Sequence, residues 1–275
     1  MTEIDYIPHS DHPLPGSDRD AEHAQGHWLL ARLGKKVLRP GGIELTRSLL
    51  RRAKLADADV LEFAPGMGRT ATEIIAAKPR SYVGAEQNAD AARLVTEIVA
   101  PAHGEVRVAD AEDTGLPDAS RDVVVGEAML TMQGEKSKNA IVAEAARVLR
   151  PGGRYAIHEL ALTPDTLDEG VKNEVQQALA RSIKVNARPL TVAEWTALLS
   201  NHGLVVEEVE TAPMALLQPR RLVSDEGLAG ALRFAKNLLV QHDARRRVLT
   251  MRGVFRKYNK QMAAIAIVAH KPAAN

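Results

Sequence analysis

The chain has 275 residues, with 36 Lys and Arg against 35 Asp and Glu and a formal net charge of +1, so no global charge draws it to nucleic acid or to a membrane surface. It has no cysteine and only 3% aromatic residues; this excludes disulfides, thiolate metal sites and cysteine nucleophiles, and argues against base stacking as its main mode of binding. No apolar run approaches the roughly 18 residues of a membrane span and the polar N-terminus is not a signal peptide, so the expectation is a cytoplasmic protein.

Residues 1–20 are rich in Pro, Asp and His and read as a mobile N-terminal arm. A helical pattern runs from Ala21 to Leu38, with Trp28, Leu29, Leu33 and Val37 as its apolar set, until Arg39-Pro40-Gly41-Gly42 breaks it. Ile43–Leu55 is a second helix, basic on one side through Arg47, Arg51, Arg52 and Lys54. Strands and helices then alternate. Strands are expected at Val60–Phe63, Ser81–Ala85, Val106–Ala109, Asp122–Gly126, Arg154–Leu160, Leu204–Glu210 and Met262–Ala269. Helices are expected at Arg69–Ala77, Ala89–Val99, Ser137–Leu149 and Thr191–Asn201. This alternation implies a Rossmann-like α/β fold, with a mostly parallel seven-stranded sheet covered by helices on both faces.

Two segments stand outside the alternation. Thr163–Arg188 is helical, with Asp168, Glu169, Lys172 and Glu174 on its wet side. Met214–Lys260 carries eleven Lys and Arg against Asp225, Glu226 and Asp243, and is expected to be a helical cap inserted before the last strand. The organisation read from the sequence is therefore an arm (1–20) and one domain (21–275). Within that domain lie N-terminal helices (21–56), a cofactor-binding core (57–213 and 261–272) and the cap (214–260).

The stretch Glu62-Phe63-Ala64-Pro65-Gly66-Met67-Gly68-Arg69-Thr70 falls at a strand-to-helix turn. Glycine there lets a ligand rest on the main chain, and the helix N-terminus offers free N–H groups. Gly66 to Ala71 also matches the G-x-G-x-x-A dinucleotide fingerprint, and Glu86, 18 residues beyond Gly68 at the end of the next strand, could accept hydrogen bonds from two ribose hydroxyls. To this point a dinucleotide and another adenosine ligand remain equally open.

Further along come Asp110, then Leu116-Pro117-Asp118-Ala119-Ser120 with Asp122, a strand, and finally Arg147-Val148-Leu149-Arg150-Pro151-Gly152-Gly153. Taken in this order and spacing, from about Pro40 to Glu210, the chain resembles the class I S-adenosylmethionine-dependent methyltransferases, in particular the small-molecule group that includes the ubiquinone/menaquinone methyltransferases. The resemblance implies S-adenosylmethionine as donor, S-adenosylhomocysteine as product and no metal. It implies that Glu62 organises the glycine loop and the amino end of the donor, with Ala64, Gly66 and Gly68 under its methionine part. Glu86 would hold the ribose hydroxyls and Gln87 would lie against the adenine. Asp110 would meet the adenine amino group, the Ala111 N–H would meet the ring, and Glu127 would sit near the methyl. One departure is that the family pattern has glycine where Ala64 stands; if that position needs φ > 0, alanine costs about 1 kcal/mol there.

Transfer from a sulfonium is an in-line displacement, and a general base is needed only if the acceptor starts protonated. His158 and Glu127 are the candidate catalytic residues, with Glu159 beside them. His158 has the useful intrinsic pKa, but a plain hydrogen-bonding role at a strand end is the slightly favoured reading, since a lone histidine is little evidence. Met129, Leu130 and Met132 suggest an apolar acceptor pocket or simply core. Among the early histidines, His9, His12, His23 and His27, the last two are four apart, yet no third ligand is evident and no metal is expected.

The function expected is methyl transfer to a small, apolar or aromatic acceptor. The alternatives are an RNA or protein methyltransferase, favoured only by the basic cap, and a non-catalytic cofactor-binding homologue. A nicotinamide oxidoreductase is opposed by Glu62, the Asp110 segment and the absence of a Tyr-x-x-x-Lys pair, and arsenite methylation by the absence of cysteine. Nucleic acid is not an expected partner, and a homodimer is left open.

Overall fold

A computed structural model describes residues 20, 23–35 and 39–273. The expected arm, with His9 and His12, and position 37 of the first apolar set fall outside the described residues.

Eight strands form one sheet: β1 (Asp59–Phe63), β2 (Ser81–Glu86), β3 (Glu105–Val108), β4 (Arg121–Glu127), β5 (Leu149–Leu162), β6 (Leu190–Thr191), β7 (Val205–Pro213) and β8 (Met262–His270). The helices are α1 (Gly26–Arg32), α2 (Gly42–Ala53), α3 (Arg69–Ala76), α4 (Ala89–Val99), α5 (Glu135–Val148), α6 (Glu169–Ile183), α7 (Val192–Asn201), α8 (Pro219–Val240) and α9 (His242–Lys257).

The sheet order is β3-β2-β1-β4-β5-β8-β7, with β6 paired to the end of β5. Only β8 runs antiparallel, to both β5 and β7. The count is one above the seven read from the sequence. The extra strand, β6, has two residues and leads straight into α7, whose N-cap is Thr191. Thr191 and Glu194 form a reciprocal capping box, so the signal for a helix start masks the strand.

Period-two alternation sorts the strands onto two faces. Leu61, Phe63, Val124, Ile157, Ile265 and Ile267 pack on one core with α5 and α7. Val60, Val123, Val125, Ala156, Ala264 and Ala266 pack on the other with α2, α3 and α4. A third cluster has no sheet face of its own. It gathers Leu29 and Leu33 of α1, Val175 and Leu179 of α6, Phe234 of α8 and Val248, Met251 and Phe255 of α9 around the strand-end residues Leu160, Leu162 and Met262.

The third cluster is where the sequence reading needs most correction. The first helix is shorter than Ala21–Leu38, with α1 ending at Arg32. Asp168 is exposed, as expected, and is the N-cap of α6, accepting from the Gly170 N–H at 2.7 Å. Lys172 is buried, its ammonium held 2.7 Å from both Glu169 and Glu194 while its stem packs inward. Between β7 and β8 stand α8, kinked at Gly227 (φ 71°, ψ 171°), and α9. Several of their cations are spent on holding the layer together. Arg221 pairs with Glu44 at the start of α2, Lys257 with Glu174 at 2.9 Å, and Arg247 donates to the carbonyls of Ala24 at 2.9 Å and Ser182 at 3.2 Å.

Candidate active site

In an open α/β sheet the crevice beyond the C-terminal strand ends, at the point where strand order reverses, is where a ligand fits. Here that point lies between β1 and β4. A cavity of about 510 Å³ opens there, floored by the glycine loop and walled by Arg39, Glu62, Glu86, Gln87, Glu127 and Met129.

The loop after β1 takes left-handed backbone three times, at Ala64 (φ 48°), Gly66 (φ 57°) and Gly68 (φ 71°). Gly68 is the N-cap of α3, and a Cβ there would stand 2.1 Å from Ile98 Cδ1, so α4 can approach only glycine. At Gly66 a Cβ would meet nothing nearer than the Ala64 carbonyl at 3.8 Å, so this glycine leaves the main chain open to the cavity. Ala64 adopts the positive φ that glycine accommodates better.

Glu86, ending β2, accepts from the Gly66 N–H at 3.0 Å and the Asn88 N–H at 2.9 Å. Burial pushes its pKa up, against those backbone hydrogen bonds. Its neighbour Gln87 donates to Asp110 at 3.2 Å, and Asp110 in turn accepts from the Glu112 N–H at 2.9 Å. Neither Asp110 nor Ala111 lines the cavity. Asp110 reaches it through Gln87, and Ala111 is buried in the core with α5 and α7.

Glu62 is 1% exposed and accepts from the Tyr82 hydroxyl at 2.6 Å. Burial lifts its pKa to about 8, with the nearby Glu127 charge adding and the Tyr82 hydrogen bond opposing. Burial therefore favours the neutral acid form of Glu62 at pH 7.

Glu127, the last residue of β4, is the hub of the site. It pairs with Arg39 at 2.7 Å, receives the His158 ring at 2.7 Å, and is further bonded by the Thr46 and Thr70 hydroxyls. Burial acts to raise its pKa, but the Arg39 charge and the His158 and Thr46 hydrogen bonds outweigh it and hold the carboxyl at about 2. It is an ionised anchor whose lone pairs are spoken for.

Strand pairing explains the His158 contact. Glu127 and His158 are register partners in β4 and β5, so their side chains project from the same face. Gly41 donates its N–H to His158 Nε2 at 3.2 Å. Because Nε2 accepts, the proton of the neutral ring stands on Nδ1, facing Glu127. His158 has no exposure and lines neither cavity; its contact is with Glu127.

Glu159 points to the opposite face. It accepts from the N–H groups of Met129 (3.0 Å), Leu130 (2.8 Å) and Thr131 (3.0 Å) and from the Thr131 hydroxyl (2.7 Å). It thereby fixes the turn after β4 that carries Ala128 and Met132.

A second cavity, of about 80 Å³ and almost wholly apolar, lies under α1, α6 and α9. It shares His27, Ala128, Met132 and Val185 with the first. Leu130 is fully buried core, so of the three apolar residues read after β4, Met129 faces the larger cavity and Met132 both. His27 stands at the junction with a buried Nδ1 that has no partner. Burial pushes the imidazole down to about 4, so it is neutral at pH 7. His23 does not pair with it: it sits in the turn ahead of α1, exposed, 2.8 Å from Asp20. Among the described residues no group of three or more His, Cys, Asp or Glu is arranged to hold a metal ion.

A family profile described as a methyltransferase domain matches residues 60–153, the segment that carries the glycine loop, Glu86 and Glu127. The chain belongs to the class I S-adenosylmethionine-dependent methyltransferases. An uncharacterized protein of Haemophilus influenzae is 31% identical over 230 residues, covering 80% of this chain and 87% of its own. Among solved structures, the [4+2]-cyclase SpnF superposes with a TM-score of 0.69 at 15% identity, over 90% of this chain and 93% of its own. Phosphoethanolamine N-methyltransferase 2 of Haemonchus contortus gives 0.67 at 16%, over 90% of this chain and 57% of its own. A geranyl diphosphate methyltransferase gives 0.60 at 14%, over 83% and 78%. These likenesses show the fold.

In this methyltransferase the cavity wall brings together six of the residues singled out from sequence: Glu62, Ala64, Gly66, Glu86, Gln87 and Glu127. Gly68 lies behind the wall, and Asp110, Ala111 and His158 do not line it. Sequence reasoning missed Arg39, which it treated only as part of a helix break, and the two threonines on Glu127. Their partnership spans 88 residues for Arg39 and Glu127, and no local pattern marks it. His27 was legible only as half of a metal pair.

Proposed function

We propose that S-adenosylmethionine occupies the larger cavity and that its methyl passes to a small, largely apolar acceptor in the smaller one. The observation that carries this reading is the juxtaposition itself. A polar cavity at the switch point and an apolar one under the helical layer meet at His27, Ala128, Met132 and Val185.

The residues on the wall suit the donor group by group. Glu86, already aligned by two backbone N–H groups, presents its remaining lone pairs to the ribose hydroxyls. Gln87 takes the adenine side, steadied by Asp110. Arg39 faces the donor carboxylate, and Glu62 the donor ammonium, whose charge draws the proton off the buried carboxyl. Gly66 lets the methionine chain lie on the main chain.

In the transfer the acceptor's lone pair forms a bond to the methyl carbon while the carbon–sulfur bond breaks and sulfur keeps the pair, so the sulfonium charge is discharged. If the acceptor carries a proton, the unpartnered Nδ1 of His27 receives a hydrogen bond from it and takes the proton as the bond forms. The protein's contribution is alignment and exclusion of water. The absence of cysteine fits a reducing cytoplasmic setting. No helix among the described residues is long and apolar enough to cross a membrane.

The test is incubation of the full chain with tritiated donor and fractionated cell extract. The reading expects label in a low-mass product that partitions into organic solvent. Label confined to RNA or protein would replace the acceptor class, and donor binding without transfer to any fraction would leave a non-catalytic binder.

A further inference from the structure

The apolar cavity does not end at its inner wall. It shares Met214, Leu216 and Phe255 with a third space, a groove of about 530 Å³ between the start of α8 and the last turns of α9. That groove is lined by Arg220, Arg252 and Arg256, and no acidic side chain lines it. Arg252 and Arg256 stand four residues apart on α9 and so project from one face of the helix. Among the described residues none of the three has a carboxylate partner, unlike Arg221 and Lys257 of the same two helices. Phe255 lies between the two spaces, with apolar cavity on one side of it and arginines on the other.

Three unneutralised guanidiniums at one mouth cost electrostatic repulsion, and they are positioned to recognise a single oxyanion with planar forks of donors. We infer that the acceptor is an amphiphile: its nucleophilic end meets the methyl beside His27, its apolar body threads past Met214, Leu216 and Phe255, and an anionic terminus, phosphate or carboxylate, is held by Arg220, Arg252 and Arg256. From Met251, beside the apolar cavity, to Arg256, on the wall of the groove, α9 advances roughly 8 Å, which sets the scale of the molecule. This inference rests on the donor and acceptor assignment above and specifies its substrate class.

The experiment uses the full chain and four probes in calorimetric titrations: S-adenosylhomocysteine, octyl phosphate, octan-1-ol and inorganic phosphate. Octyl phosphate is expected to bind at least tenfold more tightly than octan-1-ol or inorganic phosphate. The surface double substitution Arg252→Gln with Arg256→Gln is expected to weaken octyl phosphate at least tenfold and to leave S-adenosylhomocysteine unchanged. Equal binding of octan-1-ol would remove the anion from the proposal. Equal binding of inorganic phosphate would remove the apolar body. An unaltered octyl phosphate affinity in the double variant would overturn the assignment of the groove. So would sedimentation with phosphatidylglycerol vesicles that needs the two arginines while octyl phosphate does not bind, since the groove would then serve a membrane surface. Failure of the two readings is separable. No heat from S-adenosylhomocysteine with arginine-dependent octyl phosphate binding removes the donor site and keeps the groove. The reverse pattern removes the groove alone.

Discussion

The two cavities that meet at His27 are built by different means. The larger is made mostly of strand ends and the turns that follow them, and its carboxyl groups are fixed by named hydrogen bonds: Glu86 by Gly66 and Asn88, Glu62 by Tyr82, Glu127 by Arg39, His158 and two threonines. The smaller is closed mainly by side chains from α1, α6, α9 and the segment after β7, brought together by the packing of the third core cluster over the turn after β4. The first is a polar site whose geometry is set by the backbone register of the sheet. The second is a gap in a helical layer whose shape is set by side-chain volume. A donor with fixed charges suits the former, and the latter can be reshaped without disturbing it.

The largest effect that separates the two concerns Arg39. Arg39→Met leaves a buried carboxylate without its cation, and breaking such a pair costs about 3 kcal/mol or more. Denaturant unfolding should show that loss, and adding Glu127→Gln should recover part of it. A cost below about 1 kcal/mol would mean that the pair does not organise the donor wall.

Met214 offers the contrasting case in the apolar half, where it is 6% exposed and borders both the inner cavity and the groove. Met214→Ala is expected to cost about 2 kcal/mol of stability while S-adenosylhomocysteine affinity stays within about twofold. A tenfold loss of that affinity would show that the two cavities are not independent.

A pH series probes the donor wall alone. Glu62 is lifted to about 8 by burial and must ionise to face an ammonium. The bound state then holds fewer protons than the free state, so affinity rises with pH, up to about tenfold per unit, until it levels near pH 8. At pH 7 binding should release close to one proton, measured as a difference in heat between buffers of unlike ionisation enthalpy, and Glu62→Gln should abolish the release. Proton uptake, or none in the unaltered protein, would place the ammonium elsewhere.

The smallest effect is at the loop. Ala64 at φ 48° carries a strain that glycine does not, offset partly by glycine's freedom in the unfolded chain. Ala64→Gly is expected to stabilise by about 0.5–1 kcal/mol. Destabilisation would mean that the methyl group's contacts outweigh the backbone term.

The same contrast explains what was legible beforehand. The strands and the glycine loop could be read because their signals are local: alternation of apolar residues, glycines at a strand-to-helix turn, an acid at the next strand end. Ala64 was even flagged as costly if its φ were positive, which it is. Arg39, Thr46 and Thr70 could not be read, because they come to Glu127 across 88, 81 and 57 residues and only the folded sheet selects them. His158 could be read only as a candidate base or a hydrogen-bonding residue, because a strand-end histidine looks free in one dimension, whereas the register with Glu127 and the Gly41 N–H engage both its nitrogens. The acceptor side was legible only as methionines near a strand end, since its walls are contributed by separate stretches of chain scattered from Gly26 to Phe255.

The central claim is that the crevice between β1 and β4 holds S-adenosylmethionine, with Glu86 on the ribose. It is tested most directly by titrating S-adenosylhomocysteine into the full chain and into Glu86→Ala, side by side, with circular dichroism to establish that both are folded. A saturable one-to-one isotherm that weakens at least tenfold in the variant, about 1.4 kcal/mol, is the predicted result. No heat from the unaltered protein, or equal affinity in the two, would contradict it.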